Sequence, residues 1–279
     1  MMNRLTLFSA IALTGLANAF AEPETTKEQT TAPKEASAPK PQINPAYQDA
    51  IDAFSNLPEK TRFDFMKKRN EANILFQNKR IIEALEQTRQ LQEIFPSDPV
   101  ALNLRGACYV EIRNFDKARE MFHASMNITG PTINVVFNLG EVEFVSSNWS
   151  ESLAKFEQAL ELAPERAIGM RRLIEFKLLL SHIGLSKDSK LDEATRKKHT
   201  DAALSISEKY DYRDDSPFAY YAKAAILYSQ GDDTAGLKER LKALRIYSSS
   251  PQAISSWEDT LTEFGYVKSY YGNEQAPGQ

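Results

Sequence analysis

Apolar residues recur along this chain at intervals of three and four positions, which is the spacing of one face of an α-helix. The first run ends before a proline and predicts one amphipathic helix over 45–57, formed around Tyr47, Ala50, Ile51, Phe54 and Leu57. Similar runs continue to about position 264, separated by short polar or proline-containing breaks. The apolar residues are weighted toward Leu, Ala, Phe and Tyr, which favours helices over sheets.

The helical pattern repeats with a period of 34 residues. The matched positions are Gly106 with Gly140, Phe115 with Trp149, Ala118 with Ser152, Phe122 with Phe156, and Ser125 with Ala159. The same register aligns Pro96 with Gly130 and Pro164, and Ala84 with Ala118. Several matches in one register indicate a tandem repeat.

Each unit is interpreted as two antiparallel helices, A and B, that approach closely where one of them carries a small residue. Gly106 and Gly140 lie on helix A, and the aromatic residues Phe122 and Phe156 of helix B are expected to fill the space beside them. A proline or glycine at 96, 130 and 164 ends helix B, because proline lacks a backbone N–H and glycine favours helix C-termini.

These positions resemble the tetratricopeptide repeat (TPR). The best match runs from Phe137-Asn138-Leu139-Gly140 through Trp149 and Phe156 to Pro164, and the next best carries Gly106, Tyr109, Phe115, Ala118 and Phe122. The resemblance covers roughly residues 60 to 250 and departs from the family at Thr88 and Arg105. It implies an all-α superhelix (α-solenoid) of about five helix pairs with N- and C-terminal capping helices, whose A helices line a concave face.

The predicted organisation is a signal peptide over 1–21, a linker rich in Pro, Thr, Lys and Glu over 22–44, a repeat domain over 45–264, and a flexible tail over 265–279. The repeats are placed at about 65–98, 99–132, 133–166, 167–216 and 217–250, followed by a capping helix over 251–264 that would cover the open end of the core. The fourth unit is too long for the period, and 181–190 is predicted to be an insertion loop between its helices.

The first residues have the features of a cleaved secretory signal peptide. Arg4 precedes an apolar stretch over 5–16, and small residues follow it, so cleavage is expected after Ala21. The alternative is a membrane anchor, but that requires about 20 apolar residues and this stretch is shorter. The protein is therefore expected to be periplasmic or secreted, without stable membrane insertion. The linker is expected to be disordered, and serves either as a tether or as a dispensable end.

The chain offers few groups for catalysis. Its one cysteine, Cys108, lies in an apolar helical run, and its histidines His123, His182 and His199 are not paired at metal-ligand spacing. The sequence contains no phosphate loop, nucleophile elbow or zinc-protease helix. A formal net charge of −4 lacks the basic surface of a nucleic-acid binder. We therefore expect no enzyme activity, no cofactor, no metal and no nucleic-acid partner.

The resemblance implies a peptide-binding groove on the concave face. The candidate groove residues are Arg69, Asn70, Asn73, Asn103, Asn134, Phe137, Asn138, Glu141, Arg171, Arg172 and Tyr221, with Glu175, Phe218 and Tyr228 at further groove positions. Asparagine can bond both the N–H and the C=O of a peptide, and arginine can bind a carboxylate through two hydrogen bonds. The alternative is that the asparagines serve only the fold, and that the aromatic residues belong to the core or are covered by the chain's own termini.

The resemblance implies a protein–protein interaction scaffold or assembly factor that binds another protein, or an extended peptide, in this groove. Two alternatives remain open. One is a structural envelope protein that assembles with copies of itself through its end helices, as a homo-oligomer. The other is a non-catalytic subunit of an envelope enzyme complex.

Overall fold

The computed structural model describes residues 44–214 and 216–268. The predicted signal peptide, nearly all of the predicted linker and most of the predicted tail lie outside these residues. Within them the chain forms helices and no strand, so the predicted all-α fold is confirmed. The helices are α1 Pro45–Ser55, α2 Glu59–Gln77, α3 Ile81–Ile94, α4 Pro99–Glu111, α5 Phe115–Thr129, α6 Ile133–Val145, α7 Trp149–Leu162, α8 Ile168–Ser186, α9 Glu193–Ser207, α10 Phe218–Ser229, α11 Asp233–Ile246 and α12 Gln252–Glu263.

Five pairs of helices form the body of an α-solenoid with TPR-like architecture. The pairs are α2 with α3, α4 with α5, α6 with α7, α8 with α9, and α10 with α11, here called units 1 to 5. In each pair the first helix is A and the second is B. Each unit packs against the next, and the core is therefore continuous along the array.

The tight A-to-B turns of four units share one backbone conformation. A residue with positive φ follows helix A at Lys79, Arg113, Ser147 and Gly231. Three of these residues are not glycine, although the left-handed region costs other residues about 1 kcal/mol. The turn must therefore be imposed by the packing of the two helices and by hydrogen bonds such as that from the Asn114 backbone N–H to the Tyr109 carbonyl, at 2.8 Å.

The close approach of paired helices depends on glycine facing an aromatic ring. A Cβ atom at Gly106 would lie 2.5 Å from the ring of Phe122, and one at Gly140 would lie 2.8 Å from the ring of Phe156. These are the A and B positions that the 34-residue period predicts to face each other. Unit 5 has the arrangement reversed, since Gly236 on its B helix faces Tyr228 on its A helix at 2.7 Å.

Unit 4 absorbs its additional residues by lengthening a helix. Residues 181–190 were predicted to be a loop, but α8 continues to Ser186 and the connection spans only 187–192. The prediction failed because the apolar residues Ile183 and Leu185 are buried against neighbouring helices, which keeps this segment helical. The first half of the predicted loop is thus helical and contributes to the core.

The two end helices cover the core in different ways. α1 places Phe54 against Phe65 and Phe95, with ring centroids 5.3 and 5.4 Å away. α12 buries Trp257, but it lies along the A helices and leaves Leu237 of α11 42% exposed at the far end of the array. Among the described residues, no helix is both long enough and apolar enough to cross a membrane.

The glycine contact yields a direct test of the repeat. Gly140→Ala would drive its Cβ into the Phe156 ring, and we expect a loss of about 1–3 kcal/mol in the free energy of unfolding. Urea denaturation followed by circular dichroism measures it.

Gly169→Ala is the matched control, because Gly169 also lies in an A helix but a Cβ there meets no atom within 4 Å. We expect this variant to be as stable as the parent chain or slightly more stable. Equal stability of both variants would contradict the role assigned to Gly140.

Candidate functional site

The A helices line the inner side of the array. Successive A helices approach one another, α2 with α4, α4 with α6 and α8 with α10. In a curved stack the helices that converge lie on the concave side. The predicted groove residues all belong to these helices. Their burial and their contacts differ from one unit to the next.

Near unit 1 the inner face carries polar side chains. Arg69 is buried and forms an ion pair with Asp98 at 3.2 Å, and Asp98 also accepts a hydrogen bond from the Ala101 backbone N–H at the start of α4. Arg69 therefore joins α2 to α4. Asn70 is exposed, and Asn73 is half-buried with its Oδ1 lacking a hydrogen-bond partner among the described residues.

A pair of buried amides connects units 2 and 3. Asn138 Nδ2 donates to Asn103 Oδ1 at 3.0 Å, while Asn103 Nδ2 has no partner in the part of the chain that is described. Asn134 is half-buried at the start of α6. The Asn103–Asn138 contact serves the packing of α4 on α6, which is one of the two interpretations left open by the sequence.

The aromatic candidates lie inside the core. Phe137 is 2% exposed and packs against Phe156 at 5.6 Å, and Tyr221 is fully buried. Phe218 and Tyr228 are buried as well. None of these rings offers surface to a partner in this conformation, so the core alternative describes them better than the groove alternative. A position on helix A is compatible with both the groove and the core. In this half of the array the inner face is covered, and these residues are therefore buried.

The two arginines of α8 also make internal contacts. Arg171 Nη1 donates to the carbonyls of Leu160 and Ala163, at 3.0 and 2.7 Å, and so caps the end of α7. Arg172 lies over the ring of Tyr210, 3.0 Å from its centroid, and forms an ion pair with Asp214 at 3.4 Å. Glu175, another predicted groove residue, is buried and accepts a hydrogen bond from Tyr210.

The chain's own C-terminal helix covers the inner face of units 3 to 5. Trp257 of α12 packs against Phe176 at 5.2 Å and stacks on Tyr221 at 5.8 Å. Phe264, directly after α12, packs against Phe144 at 5.9 Å and Trp149 at 5.0 Å. The sequence predicted this helix at the open end of the core, and cover by the chain's own termini was one of the alternatives left open for the aromatic residues.

Residues just beyond α12 continue the contact. Tyr266 lies in the region predicted to be a flexible tail, yet its ring packs against Phe264 at 4.8 Å and Tyr228 at 5.3 Å. Lys187 donates to its hydroxyl at 3.3 Å. The ordered packing therefore extends past the end of the last helix.

Ion pairs fix the position of α12. Glu258 binds Arg240 of α11 through two carboxylate oxygens, at 2.6 to 2.9 Å, and accepts a hydrogen bond from the Tyr221 hydroxyl at 2.6 Å. Glu263 forms an ion pair with Lys177 of α8 at 3.3 Å. Together these contacts give α12 a defined register on α8, α10 and α11.

Lys177 is the centre of a buried charge cluster. Its side chain is 1% exposed, and its ammonium lies between Glu141 at 2.8 Å and Glu263 at 3.3 Å, above the ring of Phe144. Asp259 lies near this group, and its Oδ2 is buried without a hydrogen-bond partner among the described residues. We call Lys177, Glu141, Asp259 and Glu263 the Lys177 cluster. It holds three carboxyl groups and one ammonium, and Lys79, which forms an ion pair with Glu111 at 2.7 Å, adds a positive charge near Asp259.

The excess of carboxyl groups changes their proton affinity. Burial, reinforced by the charge of Glu263, raises the pKa of Asp259 from 3.8 to about 7. Burial also raises the pKa of Glu141 from 4.5 to about 7, against the opposing effect of Lys177. For Lys177 itself burial would lower the pKa, but the carboxylates of Glu141 and Glu263 outweigh it and raise the pKa. The cluster therefore holds protons that the unfolded chain would release.

The fold pairs two histidines that sequence spacing keeps apart. His182 of α8 and His199 of α9 have their Nδ1 atoms 2.9 Å apart, a contact that their separation of 17 positions in sequence does not indicate. Burial lowers the pKa of His182 to about 4, and the neighbouring His199 adds to this effect. No group of three or more His, Cys, Asp or Glu side chains in the described ranges is placed to hold a metal ion.

No protein-family model and no curated protein matches this chain. Among solved structures, the chain is similar to YrrB, described as a TPR protein with an unusual peptide-binding site, at 19% sequence identity and a TM-score of 0.42. The similarity covers 76% of this chain and 96% of YrrB. The fold of the present chain is assigned from its own helix pairs.

The Lys177 cluster predicts that stability falls between pH 6.5 and pH 8. A carboxyl group whose pKa is raised in the folded state contributes stability that is lost as the pH rises through the folded pKa, here about 7 for Glu141 and Asp259. We expect the melting temperature to be lower at pH 8 than at pH 6.5 by a few degrees. Thermal melts followed by circular dichroism measure it.

Asp259→Asn is the control for this prediction, because it removes one of the two groups and keeps the size of the side chain. Its melting temperature should change less over the same pH interval, and it should exceed that of the parent chain at pH 8. An unchanged pH dependence in the variant would show that Asp259 does not hold the additional proton.

Proposed function

We propose that this protein is an exported protein–protein interaction scaffold, or an assembly factor, that holds a segment of a partner polypeptide on α2, where the inner face meets the N-terminal end of the array. The observation that carries this proposal is the exposed face of α2, formed by Phe63, Lys67, Asn70 and Ile74. Phe63 is 70% exposed and Ile74 is 46% exposed. Asn70, between them in sequence, is the predicted groove residue with the greatest freedom to meet a ligand, since it is exposed.

The spacing of these residues supports a single binding surface. Positions 63, 67, 70 and 74 follow the four-, three- and four-residue steps of one helix face. α1 contacts the start of α2 through Phe54 and Phe65 and leaves this face uncovered. This surface suits an extended peptide. Apolar side chains of the peptide would pack on Phe63 and Ile74, while its backbone would form hydrogen bonds with the amide of Asn70.

An unpartnered amide oxygen beside Asn70 supports the same location. Asn73 Oδ1 lacks a hydrogen-bond partner among the residues described, and Asn73 lies three positions after Asn70 on α2, a spacing that makes the two amides neighbours on the helix surface. A rotation of this half-buried side chain would bring its oxygen toward a bound peptide N–H, which would remove the cost of leaving it unbonded. Export to the periplasm or beyond the cell is part of this proposal and follows from the signal-peptide pattern of residues 1–21.

Photo-crosslinking in the native envelope tests the proposed surface. A photoreactive phenylalanine analogue at position 70 should give one discrete adduct with another polypeptide, whereas the same analogue at exposed His123 on the outer helix α5 should give none. Mass spectrometry of the adduct identifies the partner and the contact site. Equal adducts at both positions, or none at either, would contradict the proposal.

Phe63→Asp is the matched variant for this experiment. Phe63 is exposed, so the helix content and the melting temperature should be unchanged, while the yield of the adduct at position 70 should fall at least tenfold. Full adduct yield in this variant would place the contact elsewhere.

A second candidate function is self-assembly through the ends of the array. Both ends expose apolar side chains: Phe63 and Ile74 on α2, and Leu237 and Leu241 on α11, which α12 leaves uncovered. Contact between unlike ends would join copies head to tail. Analytical ultracentrifugation should then show a size that increases with concentration and returns to the monomer value in Leu241→Glu. A strictly monomeric parent chain would exclude this function.

A further inference from the structure

α12 differs from the helices of the five units in how it is held. Each helix of a unit packs along its length against an antiparallel partner, whereas the backbone of α12 approaches chiefly α8 and is held by long side chains. Its apolar side chains follow the pattern of a helix bound in a groove: Ile254, Trp257 and Leu261 are at most 6% exposed, and Phe264 continues the stripe.

The receiving surface matches this stripe with both apolar and charged groups. Phe176 and Tyr221 form the walls around Trp257, and Arg240 and Lys177 bind the two carboxylates Glu258 and Glu263. The two carboxylates are five positions apart on α12, and the cations that bind them come from different units. The surface therefore specifies a helix that carries acidic residues at two set places beside an aromatic and aliphatic stripe.

One residue of α12 does not fit this surface. Asp259 lies next to Glu258 in sequence and close to Glu263, and its Oδ2 is buried without a hydrogen-bond partner in the described part of the chain. Asp259 is half-buried, and a carboxyl oxygen that is buried without a hydrogen-bond partner costs the contact part of its stability. A helix with the same stripe and a small or neutral residue at this place would bind the surface more tightly than α12 does.

We propose that the inner face of units 3 to 5 is a binding site for amphipathic acidic helices, that α12 occupies it within the same chain, and that a helix of a partner protein with this stripe competes with α12 for it. The inference rests on the proposed function in that the chain binds a polypeptide, but it uses a different surface from the α2 face. α12 thus competes with the partner helix from within the chain. The unfavourable position of Asp259 lowers the affinity that a partner helix needs in order to displace α12.

The chain connection permits such a release. Residues 247–251 join α11 to α12, and Ser248, Ser249 and Ser250 are exposed. The five helix pairs are completed before this connection begins, so α12 can leave the groove without breaking a pair. Release would expose Phe176, Tyr221 and the cations Lys177 and Arg240, which a partner helix would then cover.

A labelled peptide tests competition in the full chain. A fluorescein-labelled peptide of residues 252–267 is titrated with the protein, and its fluorescence anisotropy gives the dissociation constant. Trp257→Ala in the protein weakens the resident helix, and we expect it to bind the peptide at least tenfold more tightly than the parent chain. Arg240→Glu added to Trp257→Ala should abolish binding, while circular dichroism monitors the helix content of each variant.

Asp259→Ala distinguishes competition from a purely structural role of α12. The substitution should change the affinity for the peptide in opposite directions when it is made in the peptide and when it is made in the protein. In the peptide it removes the unpaired carboxyl group and should tighten binding at least fivefold. In the protein it strengthens the resident helix and should weaken binding of the unmodified peptide by a similar factor. A helix that belongs only to the core would give no peptide binding by any folded variant.

Three outcomes would overturn the inference. The first is the absence of peptide binding by a Trp257→Ala chain whose helix content is retained. The second is an effect of Asp259→Ala with the same sign in both places. The third is a parent chain that dimerises by exchanging α12, since the occupant in trans would then be a second copy. An adduct at position 70 in the envelope is independent of all three, so the proposed function and the helix site succeed or fail separately.

Discussion

The structure depends on the close approach of helices A and B within each unit. In units 2 and 3 this approach requires glycine on helix A, because Gly106 and Gly140 have no room for a Cβ beside the rings of Phe122 and Phe156. The same 34-residue spacing sets the turns, in which Lys79, Arg113 and Ser147 adopt a positive φ that their own chemistry does not favour. Once the pairs are fixed, their stacking determines which residues line the inner face.

The inner face is divided into two parts with different surroundings. At its N-terminal end the exposed Asn70 borders the end of the array, where Phe63 and Ile74 of α2 are exposed. From unit 3 onward the face is filled by α12, whose Trp257 and Leu261 are buried as fully as core residues. In the middle of the face Asn103 and Asn138 are buried and hydrogen-bonded to each other. A single chain thus presents one open surface and one surface that already holds a helix.

The sequence predicted the fold well, but it did not determine which parts of the inner face are covered, for a physical reason. Repetition at 34 residues reports contacts within and between neighbouring units, and those contacts build the solenoid. The position of α12 depends instead on pairs such as Trp257 with Phe176 and Glu263 with Lys177, which lie far apart in sequence and occur once. The sequence therefore could not distinguish whether Phe137 and Tyr221 line the groove or belong to the core, since a helix A position is one or the other according to what covers it. The pairing of His182 with His199 was missed for the same reason.

The placement of the tryptophans has a spectroscopic consequence. The chain contains two tryptophans, and both report on its C-terminal segment: Trp257 belongs to α12, and Trp149 contacts Phe264 just beyond it. Indole emission shifts to longer wavelength when the ring moves from an apolar site into water. The intrinsic ultraviolet fluorescence of the unlabelled protein is therefore a built-in optical signal for whether this segment lies in the groove, and one that can be read in real time.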